Sequence, residues 1–192
     1  MTFIHLVRHG RAAAGWDTDP DPDLDDVGRA QAAAVVDDLV ARHGDRGTST
    51  AVVSSPLLRC RSTAAYYADH VGAEIIIDDR VAEIPSPDGV AMSDRVTWLR
   101  AAMAGTWSDL GERYTRFRDV LIDAVRSMAS LDDHDVVVMS HFIAINAVIG
   151  VCTDNDALVI RSLDNCSVTT VEVTATGLRL VDAGREADTL IR

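Results

Sequence analysis

The sequence predicts an α/β fold of three layers: a mainly parallel central sheet with helices on both faces and an antiparallel C-terminal edge. Three observations carry this. Helical periods at Gly28 to His43, Pro56 to Val71, Arg95 to Ala104, Tyr114 to Ala129 and Phe142 to Gly150 are mostly separated by short β-rich runs, the alternation that a covered parallel sheet requires. The last two β-rich runs, Ser167 to Val173 and Leu178 to Val181, are joined through Ala175-Thr176-Gly177 and read as a hairpin. Repeats, low-complexity tracts and linkers are not evident in the 192 residues, which suit one domain with a substantial core.

Taken in order, Ile4 to Val7 is a strand that stops at Arg8-His9-Gly10, where glycine lets the backbone turn and a ligand approach. Asp17 to Asp26, rich in Asp and Pro, is an ordered surface loop feeding the helix from Gly28. His43 and His70 stand just before Gly44 and Gly72, where helix ends suit a cation and a glycine stop. The strand Ala51 to Val53 leads to Ser54-Ser55-Pro56-Leu57-Leu58-Arg59, read as N-cap Ser55, first helical residue Pro56 and Arg59 in the first turn. Glu74 to Ile77 is a strand followed by a turn carrying Glu83. Val136 to Ser140 is a buried strand ending on His141, after which the helix from Phe142 begins. His5 is a polar residue inside the first strand, and His134 sits in the acidic loop Asp132 to Asp135.

Arg8 with His9, Arg59 and His141 therefore all fall at strand ends, where open α/β sheets place ligands. These residue types suit phosphate chemistry. Histidine is a nucleophile towards phosphorus when its nitrogen carries a lone pair, and neighbouring cations hold it neutral. Guanidinium groups grip phosphate oxygens in pairs, and phosphoryl transfer needs positioning and charge stabilisation above all. His141 adds a charge-assisted hydrogen bond if protonated. A carboxyl group such as Glu83 in a partly desolvated pocket can protonate a departing alcohol near neutral pH.

The ordered set Arg8-His9-Gly10, Asp23-Leu24-Asp25-Asp26-Val27-Gly28-Arg29-Ala30-Gln31-Ala32, Ser-Ser-Pro-Leu-x-Arg, Glu83 and Ser140-His141 resembles the branch 1 histidine phosphatase (phosphoglycerate mutase-like) superfamily over nearly the whole chain. The resemblance implies that His9 is the nucleophile, that Arg8, Arg59 and His141 bind the phosphoryl group, and that Glu83 is the proton donor. It also implies a small cap insertion at about 85–113 within a single domain 1–192. Trp98 and Trp107 there either line a pocket or pack the cap onto the body. Two departures bear on substrate. Arg11-Ala12-Ala13-Ala14 replaces polar residues, including an asparagine, that phosphoglycerate mutases carry after the Arg-His-Gly run, and Phe142 follows His141 where glycine is usual. Gly10, Arg11 and Phe142 complete the expected substrate-binding set. Arg11 either replaces a lost contact or is solvated, as Arg61 is.

The expected activity is a metal-independent phosphomonoester hydrolase acting on a small phosphorylated substrate through a phosphohistidine on His9, with no cofactor and no metal. The alternatives are a phosphoglycerate mutase-type transferase, a small phosphoprotein phosphatase and a non-catalytic phospholigand-binding module; Glu83, which binding alone does not need, argues against the last. With 18 basic and 30 acidic residues the formal charge is -12, which disfavours nucleic acid and anionic membranes as partners. Cys60, Cys152 and Cys166 lack metal-ligand spacing and read as reduced thiols, with Cys60 beside Arg59 the one to watch. Met1 to Val7 is too short for a signal-peptide core and no apolar stretch reaches spanning length, so a cytoplasmic location is expected. Oligomeric state is left open.

Overall fold

A computed structural model describes residues 2–15, 18–44, 47, 49, 51–131 and 135–187. Its centre is a six-stranded sheet of β1 (Thr2–Arg8), β2 (Ala51–Ser54), β3 (Ile75–Ile77), β4 (Val136–Ser140), β5 (Val168–Thr174) and β6 (Gly177–Asp182), in the order β3-β2-β4-β1-β5-β6. The first four in that order are parallel; β5 joins β1, and β6 joins β5, in antiparallel fashion. The expected mainly parallel sheet with an antiparallel C-terminal hairpin is thus the one observed.

Alternation along the strands divides the core in two. Ile4 and Leu6 of β1, Ala51 and Val53 of β2, and Val136 and Val138 of β4 face one cluster with α5 (Glu112–Ser127) and α6 (Phe142–Thr153). Val7, Val52, Val137 and Met139 face the other, beneath α1 (Asp26–His43) and α2 (Leu58–Val71). Each helix suits its place. α1 buries Ala32, Val35, Val36 and Leu39 on one stripe, whereas α6 is buried continuously from Phe142 to Gly150, as its uniformly apolar sequence requires.

Strand register positions the site. Arg8 is level with Ser140, and Ser54 with Met139, so β1, β2 and β4 end together and release His9, Ser55 and His141 side by side.

Two local readings need correction. α2 begins at Leu58 rather than Pro56, with Leu57 at the N-cap position and no side-chain cap of its own; Asp21 Oδ1 from the preceding loop accepts the Leu58 N–H at 2.6 Å instead. Arg59 remains in the first turn. His43 is not an exposed C-terminal cation: it is buried, and its Nε2 lies 2.7 Å from the Tyr67 hydroxyl, because its side chain turns into the sheet side of α1. His70, by contrast, is exposed in the last turn of α2, and Gly72 closes that helix in the left-handed conformation, φ 68°. The reading of His134 lies outside the described residues.

Residues 85–113 hold a short 3₁₀ turn (Met92–Asp94), α3 (Arg95–Met103) and α4 (Trp107–Leu110). Trp107 is buried and stacks on Phe117, while Trp98 lies against Tyr114. Both tryptophans therefore pack this segment onto α5 rather than line a pocket. Among the described residues no helix is long and apolar enough to cross a membrane.

Candidate active site

A cavity of about 520 Å³ opens where β1 and β4 end, lined by Arg8, His9, Arg11, Arg59, Glu83 and Phe142, with Ala12 to Gly15, Leu99, Asp164 and Asn165 around them. Four elements far apart in sequence supply these groups.

His9 sits at the centre. Its Nδ1 is 2.8 Å from the Gly10 carbonyl oxygen, which can only accept, so Nδ1 carries the proton. Nε2 then carries the lone pair, and Arg59 Nε–H donates to it at 3.2 Å. Burial, with the charges of Arg59 and then Arg8, holds the imidazole pKa well below its ordinary value, so the ring is neutral with its nucleophilic nitrogen defined. The loop is fixed from both sides. Thr63 Oγ1 accepts the Gly10 N–H at 3.0 Å, and Asn165 Nδ2 donates to the His9 carbonyl at 2.9 Å. A Cβ on Gly10 would stand 2.5 Å from the Gly28 carbonyl oxygen, which explains the glycine: the loop crosses the first turn of α1 in backbone contact.

Arg59 is buried and forked between two rings, with a terminal nitrogen 3.3 Å from His141 Nδ1. Arginine can only donate, so His141 Nδ1 accepts and its Nε2–H donates to Ser55 Oγ at 2.8 Å. His141 is fully buried, does not line the cavity, and lies edge-on to His9 with centroids 5.2 Å apart. Burial first, then His9, Arg59 and Arg8, depress its pKa well below the usual value. In this geometry His141 is a neutral support behind Arg59. The phosphate-binding role that the resemblance implies for His141 would be exerted from this position behind Arg59.

Arg8 donates to the Leu163 carbonyl and lies over the Phe142 ring, 5.1 Å from its centroid. Burial lowers its pKa from an ordinary arginine's, against the pull of Glu83 and Asp164, and leaves it charged at neutral pH. Glu83 accepts N–H bonds from Ile84 at 2.9 Å, Ile143 at 3.2 Å and Ala144 at 3.3 Å. It thereby caps α6 as well as facing the cavity. Burial raises its pKa, and the three backbone donors and Arg59 only partly offset this.

Arg11 reaches the rim but pairs with Asp25, Nε to Oδ2 at 2.6 Å. Asp25 also caps α1 through the Gly28 N–H. Cys60, the watched thiol, is fully buried against His141 Nε2 at 3.3 Å, and burial pushes its pKa up. It is packed, not a thiolate.

Sequence reasoning missed Asn165, Thr63 and Asp164. Asp164-Asn165 reads as an ordinary turn pair before β5, and nothing local distinguishes a turn asparagine from one that reaches the His9 carbonyl.

The profile of the histidine phosphatase superfamily (branch 1) matches residues 4–185. The chain belongs to that superfamily. A probable phosphoglycerate mutase GpmB of Serratia proteamaculans is 30% identical over 190 residues, covering 90% of this chain and 85% of that protein. Two solved structures of 20–22% identity share the histidine phosphatase fold. Bacillus stearothermophilus YhfR superposes with a TM-score of 0.75 over 95% of this chain and 96% of its own. The mycobacterial glucosyl-3-phosphoglycerate phosphatase does so at 0.74 over 97% and 100%. The proteins that this chain resembles thus include one named as a phosphatase and one named as a probable mutase, and residues Arg8, His9, Arg59, Glu83 and His141 of this chain occupy the strand-end cluster described above.

Proposed function

We propose that this histidine phosphatase superfamily member is a metal-independent phosphomonoester hydrolase that works through a phosphohistidine at His9. The carrying observation is the Nδ1-protonated, neutral His9 whose Nε2 faces a cavity shared with Arg8, Arg59 and Glu83.

When a phosphate monoester binds, Arg59 and Arg8 turn their N–H groups to its oxygens, and Arg59 thereby uncovers the Nε2 lone pair. Nε2 forms the N–P bond as the P–O bond to the leaving group breaks, and protonated Glu83 gives its proton to the departing alkoxide. Ionised Glu83 then takes a proton from water, whose oxygen attacks phosphorus and breaks the N–P bond. Inorganic phosphate leaves with His9 neutral and Glu83 protonated again. The arginines supply the charge stabilisation that a metal ion gives in other phosphoryl transfers.

The name of the Serratia relative favours a second reading, a phosphoglycerate mutase, which would return the phosphoryl group to a second hydroxyl. The methyl groups of Ala12, Ala13 and Ala14 on the cavity wall offer no side-chain hydrogen bond to a glycerate, which favours hydrolysis. A screen of phosphate monoesters that includes 3-phosphoglycerate separates the two. Hydrolysis predicts inorganic phosphate from at least one ester, undiminished by EDTA in the assay; interconversion of 3- and 2-phosphoglycerate without phosphate release makes the mutase reading correct.

A further inference from the structure

A second cluster of polar groups lies on the α1/α2 side of the sheet, at the end opposite the cavity. His5 in the middle of β1, His43 at the end of α1 and Asp135 just before β4 are each 1% exposed. We propose that His5 Nε2, His43 Nδ1 and Asp135 Oδ2 form a binding site for one zinc-type divalent cation that fastens α1 to the sheet.

The distances favour a metal over a hydrogen bond. Asp135 Oδ2 lies 3.5 Å from His5 Nε2 and 3.6 Å from His43 Nδ1, and all three donor atoms lie within 4.8 Å of one another. Hydrogen bonds of this type are shorter, about 2.7–3.2 Å. Ligand atoms about 2.0–2.1 Å from a tetrahedral zinc ion stand roughly 3.3 Å apart, so small side-chain shifts would bring all three onto one ion, with a water as the fourth ligand. His5 Nε2 is buried and makes no hydrogen bond.

The outer atoms of each ligand are already held. His5 Nδ1 meets Thr170 Oγ1 at 3.0 Å, and Asp135 Oδ1 accepts the Phe3 N–H at 3.1 Å. The Tyr67 hydroxyl oxygen lies 2.7 Å from His43 Nε2; in the proposed site it accepts from Nε2–H, with Nδ1, the atom facing Asp135, as the ligand. Metal-binding histidines and carboxylates are oriented by such outer partners, which fix the tautomer. Two neutral imidazoles and one carboxylate are a borderline donor set that suits zinc over magnesium or calcium. His5 precedes His9 by four residues, about 13 Å along a strand, so the ion stabilises the fold and takes no part in phosphoryl transfer.

The test loads the full-length protein with Zn²⁺, dialyses it and counts retained metal. One ion per chain is expected, with a melting temperature about 5–10 °C above the chelator-stripped protein at saturating Zn²⁺. Substituted Co²⁺ should show the visible bands of a tetrahedral ion. His43→Gln and Asp135→Asn should each abolish retention, whereas His9→Ala should keep it, which separates this cluster from the histidines of the cavity. Should a variant fail to fold, X-ray absorption of the zinc-loaded wild type still decides: a nitrogen and oxygen shell with two imidazoles supports the site. A sulfur ligand, no retained metal in the folded wild type, or full retention by folded Asp135→Asn overturns it.

Discussion

His9 must satisfy two demands at once: a lone pair directed at phosphorus, and a ring too poorly solvated to be lost to protonation. The Gly10 carbonyl meets the first by fixing the tautomer, and burial beside two arginines meets the second. Arg59 is the residue on which both depend, since its fork touches His9 Nε2 and His141 Nδ1. Arg59→Ala should lower kcat/KM by about 2–4 kcal/mol of transition-state stabilisation, and Arg59→Lys should recover little, because one ammonium cannot span both rings. Steady-state kinetics on any accepted ester checks this. Glu83 makes a second, different prediction. Its carboxyl is shifted up by burial, and the acid form is the one that protonates an alkoxide, so kcat/KM for alkyl phosphates should fall as pH rises through its pKa. Glu83→Gln should slow alkyl phosphates far more than p-nitrophenyl phosphate, whose leaving group needs no proton. Equal losses on both in single-turnover experiments would reduce Glu83 to the cap of α6.

At the scale of elements, the strand ends were legible in the sequence because β1, β2 and β4 are short apolar runs that stop at polar residues, and parallel pairing then brings those stops together. The fold class was legible for the same reason, through alternation and the closing hairpin. Long-range partners were not legible. Ser55 followed by Pro56 reads as a helix start, yet the Ser55 hydroxyl goes to His141 and the cap of α2 comes from Asp21, 37 residues earlier. A local pattern cannot show a cap delivered by another loop. Nor could it show that His43 turns inward to Tyr67, since its place before Gly44 fits an exposed cation equally well. Asp21→Ala should therefore destabilise the protein by about 1 kcal/mol, the usual loss for a helix cap, read as a lower urea midpoint with an unchanged slope. A midpoint equal to wild type would show that water replaces the carboxylate without cost.

For the whole molecule, the site sets a stability limit on the acid side. His9 and His141 are held below the ordinary histidine value of 6.5 in the folded state. Below that pH these two positions bind more protons in the unfolded chain than in the native one, so they make stability rise with pH in this window, against an opposite contribution from Glu83, whose folded pKa is raised. Their contribution is fully present above about pH 6.5 and is lost as pH falls towards the folded values, so urea midpoints should decline from pH 7 to pH 5 in the wild type. The decline should be shallower in His9→Ala. The central claim, phosphoryl transfer through His9, is tested most directly by quenching the working enzyme with a labelled ester and following the label on the protein. The account predicts a phosphoenzyme that is stable in base and labile in acid, as a phosphoramidate is, mapped to His9 and absent from a folded, inactive His9→Ala variant. A base-labile adduct, or wild-type turnover by His9→Ala, would contradict it.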